Sequence, residues 1–312
     1  MTPMLLVLRA LGLGDLLVAV PALRGLRRAY PGHRLVLATS RWLTPVADLI
    51  GGIDELLPVP GLDAALPFAA GEVDIAVNMH GSGARSRQLI DALEARRTMV
   101  HRVPTVDGAG GDRLPAWRDD LNERERWTRL VGAFGVAADP LDVQLTVPAT
   151  APAVEGATVV HVGAAYGARR WPQERFAVVA RALADAGHDV IFTGSDAERE
   201  RAARVAGAAS LGTERVLAGR TALPALAALI AGARLVVSAD TGAAHLASAY
   251  RRPSVVIFGP ASPGEWGPPP GPHVVLTDER LRRGDVFAPD PDPALLAVSP
   301  QDVLAAVARL HV

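Results

Sequence analysis

No cysteine and no lysine occur in this chain of 312 residues; all 32 of its basic side chains are arginine. The missing thiols exclude disulfides, a thiol nucleophile and cysteine-ligated zinc, and they leave the redox compartment open. The missing lysine excludes a Schiff-base mechanism and a P-loop lysine. Charge of one sign is lacking as well: 32 cations face 33 acids, for a net charge of −1. No basic field is present for nucleic acid, and no polybasic stripe for an anionic membrane. No apolar run approaches the roughly 18 residues of a transmembrane helix. The apolar start Met4-Leu5-Leu6-Val7-Leu8 has no positive residues before it and no small-x-small cleavage site after it, so it reads as a first strand rather than a leader. The expectation is a soluble, cytoplasmic protein without a transmembrane segment, with peripheral membrane contact left open. The eight histidines show no H-x-x-x-H or H-E-x-x-H spacing, so no metal site is expected.

What is present is a core. Hydrophobic residues make up 49% of the chain and charged ones 21%, enough apolar surface for two domains of roughly 150 residues each. Short β-type runs alternate with helical patterns throughout. Strands are expected at 4–8, 34–38, 55–58 and 73–77, with a weaker one at 97–100. Helices fall between and after them at 15–29, 42–49, 84–93 and 120–134. Continuous apolar runs such as Leu5–Leu8 and Ile75–Val77 suit strands buried on both faces, as in parallel sheets. The Pro/Ala-rich stretch 137–156 has no helical period and reads as an interdomain linker. After it the alternation restarts, with strands at 158–162, 189–193, 234–238 and 254–258. Helices are expected at 172–186, 197–206, 223–231, 242–249 and 300–310, and a short apolar piece at 215–217. Residues 259–272 hold six prolines and four glycines and read as a loop. The expected fold is α/β: a domain over 1–150 and another over 151–312, both doubly wound and facing a cleft.

Ligands in such sheets bind beyond the carboxyl ends of the strands, and polar clusters fall there. Ser238-Ala239-Asp240-Thr241-Gly242-Ala243-Ala244-His245 leaves one strand and opens an Ala-rich helix. Its free N–H groups and helix dipole suit a phosphate; an ordinary N-cap by Asp240 or Thr241 is the alternative. Gly12-Leu13-Gly14-Asp15 lacks the third glycine of a dinucleotide fingerprint, so NAD and FAD are rejected. Asp15 is either a dipole-favoured helix residue or a general base. His161 to Pro172 is a glycine-bearing strand exit with Arg169 and Arg170, a diphosphate grip or a solvated pair. Glu198, in the next strand exit, offsets a helix dipole or accepts ribose hydroxyls. His80, Arg85 and Arg87 follow the strand at 73–77, as a weak acceptor site or a plain cap. Asp290-Pro291-Asp292 spells a D-x-D, but it sits among prolines and reads as solvated loop.

Three segments carry a family resemblance: Gly14-Asp15-Leu16-Leu17 running to Pro21-Ala22-Leu23-Arg24, Arg170-Trp171-Pro172-Gln173-Glu174-Arg175-Phe176-Ala177, and Asp240-Thr241-Gly242-Ala243-Ala244-His245-Leu246-Ala247. Together they resemble glycosyltransferase family 9, the ADP-heptose:lipopolysaccharide heptosyltransferases. The resemblance implies a GT-B fold of two Rossmann-like domains, acceptor side first and nucleotide-sugar side second, with the last helix, 300–310, returning to the first domain. It implies inverting, metal-independent sugar transfer, with Asp15 as the base. The donor side would be Arg169, Glu198, Asp240, Thr241, Gly242 and His245, together with Gly14, Ala164 and Ala165. No cofactor is implied; the nucleotide sugar, ADP-linked, is a co-substrate, and the acceptor is a glycan, a lipid-linked sugar or a natural product. Two departures stand out. Arg169 occupies the position where the family usually has lysine, and Ala164 and Ala165 replace hydroxyl residues. The alternatives are a GT-B sugar-nucleotide epimerase or hydrolase, acting without an acceptor, and a non-catalytic nucleotide-sugar-binding protein, which has no use for Asp15.

Overall fold

The computed structural model describes residues 2–108 and 113–312. The chain divides into two compact units, Met1–Thr146 and Val147–Val312. In the first, the elements run β1 (Met4–Leu8), α1 (Leu13–Ala29), β2 (Arg34–Thr39), α2 (Thr44–Ile50), β3 (Glu55–Pro58), β4 (Ile75–Asn78), α3 (Ala84–Asp91), β5 (Arg97–Met99), α4 (Pro104–Asp107) and α5 (Glu123–Gly132). The second continues with β6 (Thr158–His161), α6 (Gln173–Asp185), β7 (Val190–Thr193), α7 (Arg199–Ala208), α8 (Leu223–Ala231), β8 (Leu235–Ala239), α9 (Gly242–Ala249), β9 (Ser254–Ile257), α10 (Pro263–Trp266), β10 (His273–Leu276), α11 (Pro293–Leu296) and α12 (Pro300–Leu310).

Each unit is built on one five-stranded sheet, in the orders β3-β2-β1-β4-β5 and β10-β9-β8-β6-β7. Every strand pair is parallel; Leu5 of β1, for example, registers with Leu35 on one side and Ile75 on the other. All five residues of β1 and all four of β4, β7 and β9 are buried, which explains their unbroken apolar runs: helices cover both faces of a parallel sheet. In both sheets the strand order reverses beside the first strand, between β1 and β4 and between β6 and β8. A crevice opens at such a reversal, where neighbouring connections leave on opposite faces.

Several expectations change. The stretch read as a linker is fastened to the first unit through residue 146: Arg24 and Arg28 of α1 pair with Asp142 at 2.6 and 2.9 Å, and the Thr146 N–H donates to the Leu49 carbonyl. Val143 and Leu145 are buried there as well, in an irregular stretch with no helical period. The last helix has Val303, Ala306 and Val307 built into the core of the second unit, against α6, β9 and β10. The proline-rich segment 259–272 contains the single turn α10, and directly after it comes an edge strand, β10, that the sequence reading omitted. The piece at 215–217 makes a single bridge, Val216 to Phe192. Asp292 is no solvated loop residue: it is 4% exposed, caps α11 at Ala294 N and accepts the Arg283 N–H.

Candidate active site

In the first unit the chain leaves β1 through Arg9 and enters α1, whose N-cap is Gly12. Gly14 lies in the first turn, and Asp15 occupies the third helical position, where its Oδ2 accepts the Gly12 N–H at 3.1 Å. That is half of a capping box, with glycine where a hydroxyl residue would stand. The carboxylate keeps 29% of its surface exposed, and its Oδ1 lies 3.5 Å from an Nη of the buried Arg9. Across the strand reversal, His80 follows β4. Its N–H donates to Asn78 Oδ1, and its Nδ1 is buried without a hydrogen bond. Burial, reinforced by the positive field of Arg9 and opposed by Asp15, holds the His80 imidazole below its ordinary value. His80 and Asp15 thus share one electrostatic environment.

Arg85 and Arg87 do not join them. Arg87 pairs with Asp91 at 2.8 Å and Asp107 at 2.7 Å, while Arg85 donates to the Leu62 and Asp63 carbonyls. Both guanidiniums bind α3 to its own surroundings.

The second unit gathers its residues at the other reversal, between β6 and β8. Asp240 ends the turn after β8 and is 4% exposed. Its carboxylate lies 3.5 Å from Arg169 Nη1 of the β6 exit and 3.8 Å from His245 Nε2 in the first turn of α9. The N-cap of α9, Thr241, makes no side-chain cap, and its hydroxyl is buried without a hydrogen bond. The first N–H groups of α9, from Gly242 onward, are therefore not taken by the cap side chain. A helix N-terminus beside a held guanidinium is a binding place for an anion.

Glu198 sits at the exit of β7. One oxygen accepts the Ala164 N–H at 2.7 Å, and the other accepts the Ser195 N–H at 2.7 Å and its hydroxyl at 2.8 Å. Burial works to raise this carboxyl, but those hydrogen bonds outweigh it and hold it below its usual value. The arrangement depends on Gly163, where a Cβ would collide with the Glu198 carboxylate. One N–H expected for a phosphate is thus already engaged, and Glu198 ties two strand exits together. Ala164 is buried; Ala165 beside it is exposed.

Of the Arg170-Trp171-Pro172 motif, Trp171 is core: it is fully buried, and its indole N–H donates to the Val298 carbonyl at 3.1 Å. Arg170 donates to the Ala164 carbonyl at 3.1 Å. The loop carrying Arg169 is pressed against residues 288–292 at Gly167, with the Ala168 N–H donating to the Ala288 carbonyl and the Asp292 N–H to the Ala168 carbonyl. Exposed Tyr166 and Phe287 meet edge to face there, 4.9 Å apart.

Two residues that matter to Asp15, Arg9 and Glu123, escaped the sequence reading. An arginine directly after an all-apolar strand was the available signal for Arg9; nothing local marks Glu123. Among the described residues, no group of three or more His, Cys, Asp or Glu side chains is placed to hold a metal ion, and no helix is long and apolar enough to cross a membrane.

By sequence and by fold this chain is similar to known glycosyltransferases. Residues 135–279 match the family model of glycosyltransferase family 9 (heptosyltransferase). Lipopolysaccharide heptosyltransferase 2 of Escherichia coli K12 is 35% identical over 154 residues, covering 46% of this chain and 43% of that protein. Lipopolysaccharide heptosyltransferase 1 of Pseudomonas aeruginosa PAO1 is 40% identical over 106 residues, covering 34% and 29%. The aligned segments thus span less than half the length of these curated relatives. By structure, the ADP-heptose lipopolysaccharide heptosyltransferase II of E. coli superposes with a TM-score of 0.77 at 22% identity, over 98% of both chains. The E. coli heptosyltransferase WaaC with ADP gives 0.73 at 20% identity, over 98% of this chain and 99% of that one. The fold is thus of the GT-B type, and the relatives are glycosyltransferases. The likeness to glycosyltransferase family 9 holds by sequence over residues 135–279 and by fold over nearly the whole chain.

Proposed function

We propose that this protein is an inverting, metal-independent glycosyltransferase that moves a heptose from ADP-heptose to a hydroxyl of a glycan acceptor. The observation that carries the reading is the Asp240–Arg169 pair at the N-terminus of α9: a buried carboxylate lies 3.5 Å from a guanidinium, beside a helix start whose N-cap side chain makes no cap hydrogen bond, at the strand reversal of the second sheet. That is an anion site built without a metal. The donor diphosphate takes it, with Arg169 and the N–H groups near Thr241 and Gly242 meeting the negative charge that grows on the leaving group. His245 contributes a proton or a hydrogen bond there. Glu198 accepts ribose hydroxyls with the lone pairs its backbone partners leave free, while Gly14, Ala164 and Ala165 line the donor.

Asp15 is the general base. It removes the acceptor's proton as the acceptor oxygen attacks the anomeric carbon from the face opposite the diphosphate, which inverts the centre. Its part-exposed carboxylate, within the electrostatic reach of His80, supports that role. The names of the relatives support lipopolysaccharide as acceptor and ADP-heptose as donor; the cytoplasm is the proposed location.

Calorimetric titration with ADP, UDP, GDP and dTDP, without added metal, tests the donor. Selective ADP binding is expected; preference for another nucleotide overturns the heptose assignment. Asp15→Ala tests the base: transfer falls about 10²- to 10⁴-fold while the Kd for ADP changes less than about twofold. Full activity in that variant removes Asp15 from the mechanism.

A further inference from the structure

Asp15 is gripped from behind. Arg9 is 1% exposed, and its guanidinium is engaged on each edge. Nε donates to the main-chain carbonyl of Asp15 at 2.9 Å, and Nη1 to the carbonyl of Met79, just past β4. Nη2 lies 3.5 Å from Asp15 Oδ1 and 3.5 Å from Glu123 Oε2. The flat face of the group rests on the Trp127 indole, 4.5 Å from the ring centroid. From the strand side, the Thr39 hydroxyl donates to the Arg9 carbonyl at 2.7 Å. Glu123 is the first residue of α5, the helix packed along α1. Its Oε2 accepts the Trp127 indole N–H at 2.9 Å, and its Oε1 pairs with Arg126 at 2.9 Å. The charges facing Asp15 are then Arg9 and His80, with Glu123 and Arg126 of α5 behind Arg9.

One buried Nη2 is thus shared by two carboxylates that lie 108 residues apart in sequence (123 less 15), one part-exposed and one buried. We infer that Glu123, acting through Arg9, is a positioning residue for the carboxylate of Asp15, so that α5 sets the geometry of the base; this rests on Asp15 being the base.

The physical reason is the division of the grip. The Asp15 carboxylate is held at Oδ2 by the Gly12 N–H and at Oδ1 by Arg9, which defines its rotation and leaves its outer lone pairs free. A general base works only within hydrogen-bond reach of the proton it takes, and a displacement of about 1 Å costs on the order of 10²-fold in rate. Glu123 supplies the second anion that a buried guanidinium needs. Without that charge, Asp15 becomes the remaining anion in reach of Nη2, and its carboxylate is drawn inward, away from Gly12 and from an acceptor. Only a planar fork serves the Met79 carbonyl, the Asp15 carbonyl and both carboxylates together; an ammonium has neither the reach nor the directions.

The test uses the full-length protein with ADP-heptose, following ADP release with water as acceptor, alongside calorimetric ADP binding. Glu123→Gln keeps the shape and an acceptor for the Trp127 indole while removing the charge, and urea unfolding checks that it is folded at the assay temperature. Its kcat is expected to fall by at least about tenfold with the ADP Kd unchanged within about twofold, and Arg9→Lys behaves likewise. In an Asp15→Asn background, adding Glu123→Gln lowers the residual rate no further, since the effect passes through the carboxylate already lost. A Glu123→Gln rate equal to wild type, or a full additional loss in the Asp15→Asn background, overturns the positioning role. Wild-type rate in Asp15→Asn alone refutes the base assignment instead, a separable result. If the wild type releases no ADP to water, the wild type, Glu123→Gln, Asp15→Asn and the double variant are unfolded in urea. Coupling between positions 15 and 123 is expected there, and strict additivity overturns the shared grip.

Discussion

Gly167→Ala is the substitution whose effect is most directly read from the packing. A Cβ at Gly167 would overlap the carbonyl oxygen and carbon of Pro289 and stand 3.0 Å from its Cα, where ordinary contact begins at 3.4 Å. The obstacle is main chain, so no side-chain rotation relieves it. The 166–169 loop and the 288–292 segment must move apart by more than a hydrogen bond tolerates. The Ala168-to-Ala288 bond at 2.9 Å and the Asp292-to-Ala168 bond at 3.0 Å then break. At roughly 1 kcal/mol net for each bond, with about 1–3 kcal/mol of overpacking strain, the second unit loses about 3–5 kcal/mol. At about 2–4 °C per kcal/mol for a unit of this size, the Tm falls by roughly 6–20 °C. Arg169 is the next residue but one, so on the proposed donor site the ADP Kd rises as well.

Gly207→Ala is the matched control, lying near the end of α7 with no atom within 4 Å of its Cβ position. It should stabilise the same unit by about 0.4–1 kcal/mol, because alanine loses less backbone entropy in a helix. The assay is thermal and urea unfolding of the three proteins, with ADP titration on each. If Gly167→Ala unfolds with the wild type and binds ADP equally well, the reasoning is refuted.

Three further outcomes are expected. Burial pushes the His101 imidazole, 2% exposed, from 6.5 to about 4. The unfolded chain therefore takes up a proton that the native state refuses, and stability present above pH 6.5 is lost as the pH falls toward 4, by about 3 kcal/mol in all; His101→Gln should flatten that part of the pH dependence in urea unfolding. Trp171→Ala empties a fully buried site and frees the Val298 carbonyl, for a loss of about 3–5 kcal/mol in equilibrium unfolding. Ser299→Ala removes the hydroxyl cap on Asp302 N at the start of α12, costing about 1 kcal/mol by the same measurement.

Parts of this architecture can be read from single stretches of sequence. Leu5–Leu8 and Val255–Ile257 announce strands covered on both faces because no position along them must meet water. The Asp240-to-His245 turn announces a helix start because an acid, a hydroxyl residue and glycine precede an Ala-rich run. β10 was missed for a comparable reason: His273-Val274-Val275-Leu276 is short, half-buried and at a sheet edge, and it follows a run of prolines and glycines, so neither length nor full burial marks it. The cap role of Asp292 was hidden by its proline neighbours.

Other properties follow only from the folded chain. By itself the sequence determined the alternation of strand and helix, the two-part organisation, the absence of thiol and lysine chemistry, and which turns carry Asp15, Arg169, Glu198 and Asp240. Those are consequences of local periodicity and residue type, which operate over a few neighbours. Tertiary structure decided that Arg87 is consumed by Asp91 and Asp107, that Glu198 binds two backbone N–H groups, and that Trp171 fastens the segment before α12. It also decided that Arg9 stands between Asp15 and Glu123. Each of these is a pairing of charge or surface between segments brought together by strand order and helix packing, and sequence spacing carries no record of a contact that only sheet topology creates.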